Sequence, residues 1–229
     1  MRIIVYSGIV SMLMIFMMGC QTTNYNPNYQ QDAAKADYIH RSIKKLTDVI
    51  VHDIISPPVA ARDYAYPSIA AYEALLPAYN THQSYAEQLT GLTAAPQPEE
   101  GKEYCFPLAS VHAFLKTSES FIFDVTQIED FRRELYLEMD SVVNMPKDVR
   151  ERSIEYGEKV AAHILAWSKK DNYAETRTFP KYEVPFDEPA KWKPTPPSYM
   201  DGIEPHWNKI RPFVLDSASQ FKPEKHPEF

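Results

Sequence analysis

Between residues 38 and 55 the apolar positions Ile39, Ile43, Leu46, Ile50 and Ile54 recur every three or four residues, with Arg41, Lys44, Lys45, Asp48 and His52 on the other faces. That period predicts an amphipathic helix. Ser56-Pro57 follows as an N-cap and a first-turn proline, opening a second helix through Ala60, Ala61, Tyr64, Ala65, Ile69, Ala70, Tyr72, Ala74 and Leu75. This helix is apolar nearly all round, so it is expected to be central and buried, with a kink where Pro67 removes a backbone donor. Residues 79 to 107 hold Gly91, Pro96, Pro98, Gly101 and Pro107 and read as a loop with one short helix around 83 to 92. Leu108, Val111, Phe114, Leu115, Phe121 and Ile122 mark a third helix, and Ile128, Phe131, Leu135, Leu137, Met139 and Val142 a fourth. Pro146 opens a fifth, with Val149, Tyr156, Val160, Ile164 and Trp167 on one stripe and Glu155 and Lys159 as a supporting pair. No segment alternates as a strand does, so the fold class is all-α.

Both ends break this pattern. Ile3 to Met18 is an apolar run behind Arg2, closed by Met18-Gly19-Cys20. It is short for a membrane span and ends on small-Cys, so residues 1–19 are expected to be a lipoprotein signal peptide, with Cys20 the lipidated N-terminus. The expected address is the bacterial cell envelope, on the periplasmic face of the outer membrane, with the lipid as membrane contact. Residues 20–36 are polar and read as a tether, and 37–172 as the helical domain. From Tyr173 onward the chain holds ten of its 19 prolines together with Trp192 and Trp207. Regular structure is disfavoured there, so 173–229 is expected to be an extended arm that wraps the helical body and buries its tryptophans.

Composition narrows the function. With 24 Lys and Arg against 31 Asp and Glu, the chain has no basic footprint for nucleic acid. Its six glycines spell neither Gly-x-Gly-x-x-Gly nor a P-loop. If Cys20 carries lipid, Cys105 has no intramolecular partner. Tyr104 and Phe106 beside it would raise a thiol pKa, so it reads as a buried structural thiol. Asp48 and His52 stand at i and i+4, the spacing of a metal pair, but no third ligand is in view and no metal site is assigned. Arg62-Asp63 is either a buried pair reaching a cleft or the wet edge of the second helix; a structural role is favoured. His112 reads as a satisfied core histidine. No Gly-x-Ser-x-Gly elbow supports nucleophilic hydrolysis.

Two segments carry a resemblance. Asp48-Val-Ile-Val-His-Asp-Ile-Ile-Ser-Pro-Pro-Val-Ala-Ala-Arg-Asp-Tyr64, continuing through Ala65-Tyr-Pro-Ser-Ile-Ala-Ala-Tyr-Glu-Ala-Leu-Leu-Pro77, is one. Trp192-Lys-Pro-Thr-Pro-Pro-Ser-Tyr199, with Glu204 to Phe213 and Ser219 to Pro223, is the other. Together they resemble the N-terminal half of bacterial vanadium-dependent haloperoxidase-like lipoproteins of the phosphatidic acid phosphatase type 2 superfamily. The resemblance implies an all-α fold and, in full-length relatives, either phosphate-ester chemistry or halide oxidation by peroxide on bound vanadate. It also implies three catalytic motifs: Lys-x6-Arg-Pro, Ser-Gly-His and Arg-x5-His, whose cations neutralise a tetrahedral oxyanion while histidines bond it or move protons.

None of the three occurs here. The only Arg-Pro is Arg211-Pro212, and Glu204 stands seven positions before Arg211. No glycine precedes a histidine, and no histidine has arginine six positions earlier. No catalytic or cofactor-binding residue is therefore assigned; vanadate or phosphate is expected only with a C-terminal catalytic half, which becomes the expected partner. Two other readings stand beside this one. One is a helical lipoprotein binding module whose arm aromatics (Tyr173, Phe179, Tyr182, Phe186, Trp192, Tyr199, Trp207) hold a sugar or peptide. The other is a truncated product without function.

Overall fold

The computed structural model describes residues 25–224; the signal segment and Cys20 lie outside them. Among the described residues there is helix and no strand. α1 is Tyr29–Ala33, α2 Asp37–His52, α3 Pro57–Leu75, α4 Phe106–Ser118, α5 Val125–Val142, α6 Lys147–Ser168 and α7 Tyr173–Thr176. Two 3-10 turns, Leu76–Ala78 and Trp207–Lys209, complete the regular structure. The loop from 79 to 105 contains turns but no helix, correcting the helix expected around 83 to 92. None of these helices is long and apolar enough to cross a membrane.

The helices pack around α4, which is buried on nearly every side from Leu108 to Leu115. One core joins Leu46 and Val49 of α2, Phe114 and Leu115 of α4, Ile128 and Leu135 of α5, and Val149 of α6. The other joins Tyr66 and Ala70 of α3, Ala109 and Ala113 of α4, and Val160, Ile164 and Trp167 of α6. α3 was expected to be the central helix; it is instead a flanking one, with Ala61 and Ser68 exposed. It continues as helix through the buried Pro67. The α4–α6 approach requires Gly157, where a Cβ would stand 2.6 Å from the Ala109 carbonyl oxygen. Glycine is unfavourable in mid-helix and is present here because no side chain fits.

Side chains also tie helices to backbone. Ser110 Oγ donates to Ala71 O at 2.8 Å, and Cys105 N donates to Ser153 Oγ at 2.8 Å. Glu73, 3% exposed, accepts from Ser84 Oγ (2.8 Å) and Tyr85 N (2.7 Å) and so pins the long loop. The segment read as a tether is packed from Tyr29 onward: Tyr29 and Ala33 are buried, and Gln30 Nε2 donates to Tyr104 O at 2.9 Å.

Individual positions depart from the apolar stripes. α2 ends at His52, so Ile54 falls outside it and is 89% exposed. Leu137 and Val142 of α5 are also exposed. In the arm, Trp192 is 49% exposed rather than buried. The arm is instead latched to the bundle through Arg211 and Phe213.

Candidate functional site

The densest polar cluster lies where α3, the end of α6 and the arm meet. Asp171, just beyond α6, accepts through Oδ2 from Arg62 Nε (2.7 Å) and Tyr66 OH (2.8 Å), and through Oδ1 from Tyr173 N (2.9 Å). Arg211 of the arm donates from its backbone N to Asp171 O at 2.9 Å. Its Nη1 donates to Trp167 O at 3.1 Å and its Nη2 to Tyr66 OH at 3.2 Å. Burial and the neighbouring Asp171 carboxylate hold the Tyr66 hydroxyl above the usual tyrosine range, so it stays protonated and donates.

Aromatic rings enclose both cations. The Arg62 guanidinium lies 4.5 Å from the Tyr173 ring centre and 4.8 Å from that of Phe121, and Arg211 lies 4.3 Å from that of Trp167. Phe213 stacks on Trp167 at 5.5 Å, and its carbonyl accepts from Thr90 N at 2.7 Å. Planar guanidinium suits such sites, an aromatic face covering it while its N–H groups donate in plane, to a carboxylate from Arg62 and to a carbonyl and a hydroxyl from Arg211.

Beside this latch a cavity of about 460 Å³ opens between Ile54–Ser56, Ser120–Phe123, α3 and α7. Asp63 lines it and is 1% exposed. Its Oδ1 is 3.9 Å from Arg62 Nη1, and its Oδ2 has no hydrogen-bond partner. Desolvation, opposed only by Arg62, pushes the Asp63 carboxyl up to about 7. Arg62-Asp63 is therefore the buried pair reaching a cleft, not a wet helix edge. The cavity's other cations are Lys169, which is exposed, and Arg177, which pairs with Glu204.

This arrangement can bind and orient, but it does not match the chemistry of a bound vanadate. Arg62 is neutralised by Asp171 and Arg177 by Glu204. Arg211, from the only Arg-Pro, directs its terminal nitrogens to Trp167 O and Tyr66 OH. No histidine lines the cavity among the described residues. The residues lining this cavity do not fit vanadate.

The remaining candidates resolve individually. Asp48 is held by Lys44 at 2.8 Å, while His52 Nδ1 meets Asp53 Oδ1 at 3.1 Å. The two side chains have separate partners, and no group of three metal-ligating side chains occurs among the described residues. His112 is 4% exposed, with Nδ1 bonded to Tyr136 OH and Nε2 2.9 Å from Glu158 Oε2. Desolvation lowers its pKa against the pull of Glu158, so it sits as a neutral, satisfied core histidine. Burial pushes the Cys105 thiol up to about 11, as an inert thiol requires. In the arm, Trp192 meets Tyr182 edge-on at 6.1 Å, and both line an open cavity of about 570 Å³ with Ser198 and Asp201.

Neither Asp171 nor Tyr66 stands out in the sequence as a functional residue. Asp171 follows Lys169-Lys170 and looks like a helix-end surface charge, whereas Tyr66 looks like one more apolar helix position.

No protein-family model and no curated protein matches the chain. Among solved structures it is similar to the crystal structure of a bacterial vanadium-dependent iodoperoxidase. The identity is 48% and the TM-score 0.78, over 84% of this chain and 46% of that one. The chain thus spans about half the length of that enzyme.

Proposed function

The chain is vanadium haloperoxidase-like in fold, and from that premise we propose that it serves as the N-terminal scaffold half of such an enzyme. The observation carrying this reading is the 48% identity over 84% of the chain together with coverage of only 46% of the iodoperoxidase. The sequence lacks all three catalytic motifs of the resembled family, so the oxyanion site belongs to the other half. Here α3, α4 and α6 supply the base, and the Arg62–Asp171–Arg211 latch holds the arm against it. Purified residues 20–229, assayed with vanadate, peroxide and iodide or bromide and separately with a phosphomonoester, are expected to show no turnover. Catalysis above the buffer rate would overturn the scaffold reading.

The proposal extends to the cell envelope, where Cys20, outside the described residues, holds the chain by a lipid. The Met18-Gly19-Cys20 junction supports this. The full chain expressed in a bacterium is expected in the membrane fraction, and Cys20→Ser is expected to shift it to the soluble fraction. Equal distribution of the two would show that Cys20 anchors nothing.

A further inference from the structure

The loops Asp53–Ser56 and Glu119–Asp124 are joined by one side chain. Asp53 Oδ2 accepts from Phe123 N at 2.7 Å and from Asp124 N at 3.1 Å. The joined loops present apolar residues outward: Ile54 is 89% and Phe123 82% exposed, with Val51 beside them in the last turn of α2 at 71%. Ile54 also has a φ of +54°. A β-branched residue seldom adopts that left-handed conformation, and such strain concentrates where a residue is held for contact. Between the loops opens the Asp63 cavity, walled by Val59, Ile122 and Leu165, with the unpartnered Asp63 Oδ2 inside.

Three separate costs meet on this face: wet apolar side chains, a strained backbone and an orphaned buried oxygen. One covering surface relieves the first and the last together. A lipid surface would cover the apolar rim but supply no directed donor to Asp63. The iodoperoxidase contains more than half its length beyond what this chain matches, and a polypeptide of that length offers both apolar surface and N–H or O–H donors.

We propose that the face formed by Val51, Ile54 and Phe123 around the Asp63 cavity seats the second half of the enzyme, which covers the apolar rim and brings an N–H or O–H donor to Asp63 Oδ2. This rests on the scaffold reading above. The rim is also mixed in charge, with Lys169, Arg177 and Glu204 around the opening, so the partner segment is apolar with a polar projection rather than uniformly charged.

The test co-expresses this chain, carrying an affinity tag, with the part of the iodoperoxidase that it does not match. Wild-type chain is expected to capture that polypeptide in equal amount. Ile54→Asp/Phe123→Asp is expected to reduce capture at least tenfold with unchanged helical circular dichroism and melting, whereas Leu137→Asp, on exposed α5 surface, retains it. Asp63→Leu is expected to lose capture and Asp63→Asn, which keeps an acceptor oxygen, to hold it. Capture by the wild type that survives the double substitution overturns this surface and leaves the scaffold reading standing. Absence of capture by the wild type overturns both. A dimer of the chain alone that Ile54→Asp/Phe123→Asp dissolves would assign the face to a second copy instead.

Discussion

Replacing Asp171 by alanine is expected to release the arm and to produce the largest loss of stability of any single polar substitution in this chain. Asp171 is 2% exposed and accepts from Arg62, Tyr66 and the Tyr173 amide. Removing one partner of a buried pair leaves an uncompensated charge, at a cost of about 3–5 kcal/mol. For a domain of this size that corresponds to a fall in melting temperature of roughly 10 °C. The arm follows indirectly: the main-chain bond from Arg211 N to Asp171 O remains, but the lost carboxylate no longer orients Tyr66 OH, to which Arg211 Nη2 donates, nor holds Arg62 and the Tyr173 amide where the arm begins. Limited proteolysis should therefore cut residues 177–224 of Asp171→Ala faster than those of the wild type, and Trp167 emission should shift to the red as Phe213 leaves it. Asp171→Ala with wild-type melting and proteolysis would mean that the latch does not hold the arm.

The second large effect depends on pH. Asp63 is raised from its ordinary 3.8 to about 7, by desolvation that Arg62 only partly offsets. Between those values the folded chain holds a proton that the unfolded chain has released. Stability therefore falls as pH rises through this window and levels off above it. The shift corresponds to a loss of about 4 kcal/mol at most, at roughly 1.4 kcal/mol per pKa unit. Asp63→Asn carries no charge at any pH, so it should melt several degrees above the wild type at pH 8, with the difference vanishing near pH 4. His112 works in the opposite sense: its lowered pKa makes protonation at acid pH destabilising. Subtracting the Asp63→Asn profile removes that common contribution. Parallel wild-type and Asp63→Asn profiles would show that Asp63 is ionised in the fold like any surface carboxylate.

The same carboxyl bears on the scaffold reading. An N–H or O–H from a second half would satisfy Asp63 Oδ2, and a cationic donor would also return its pKa toward the ordinary range. In that complex the pH dependence of the isolated chain would shrink.

The all-α class, the helices and most of their core faces were legible in the sequence because they arise from local periodicity. Leu46, Ile50, Phe114, Leu135, Val160 and Ile164 occupy apolar stripes and are buried. Cys105 and His112 were legible too, since flanking residues indicate burial when they are uniformly apolar. The resemblance to the haloperoxidase-like family was carried by local motifs in α2, α3 and the arm, and it led to the correct fold.

What periodicity could not supply were decisions between distant segments. Ile54 continues the stripe of α2 by spacing, yet the helix stops at His52. Ser56 must be extended before Pro57, and Asp53 turns to the amides of Phe123 and Asp124, about 70 residues onward. Asp171 and Arg211 look like exposed charges when read locally, and the local pattern leaves the burial of Arg62 open. Only the meeting of α3, the end of α6 and the arm removes them from water, and once dry they find partners there, Arg211 Nε excepted. The sequence by itself determined which segments are helical and which faces are apolar, since propensity and pattern act over a few residues. The tertiary structure alone decided which charges are buried, which apolar side chains remain wet and where an oxygen is left without a partner, because those depend on surfaces brought together from far along the chain.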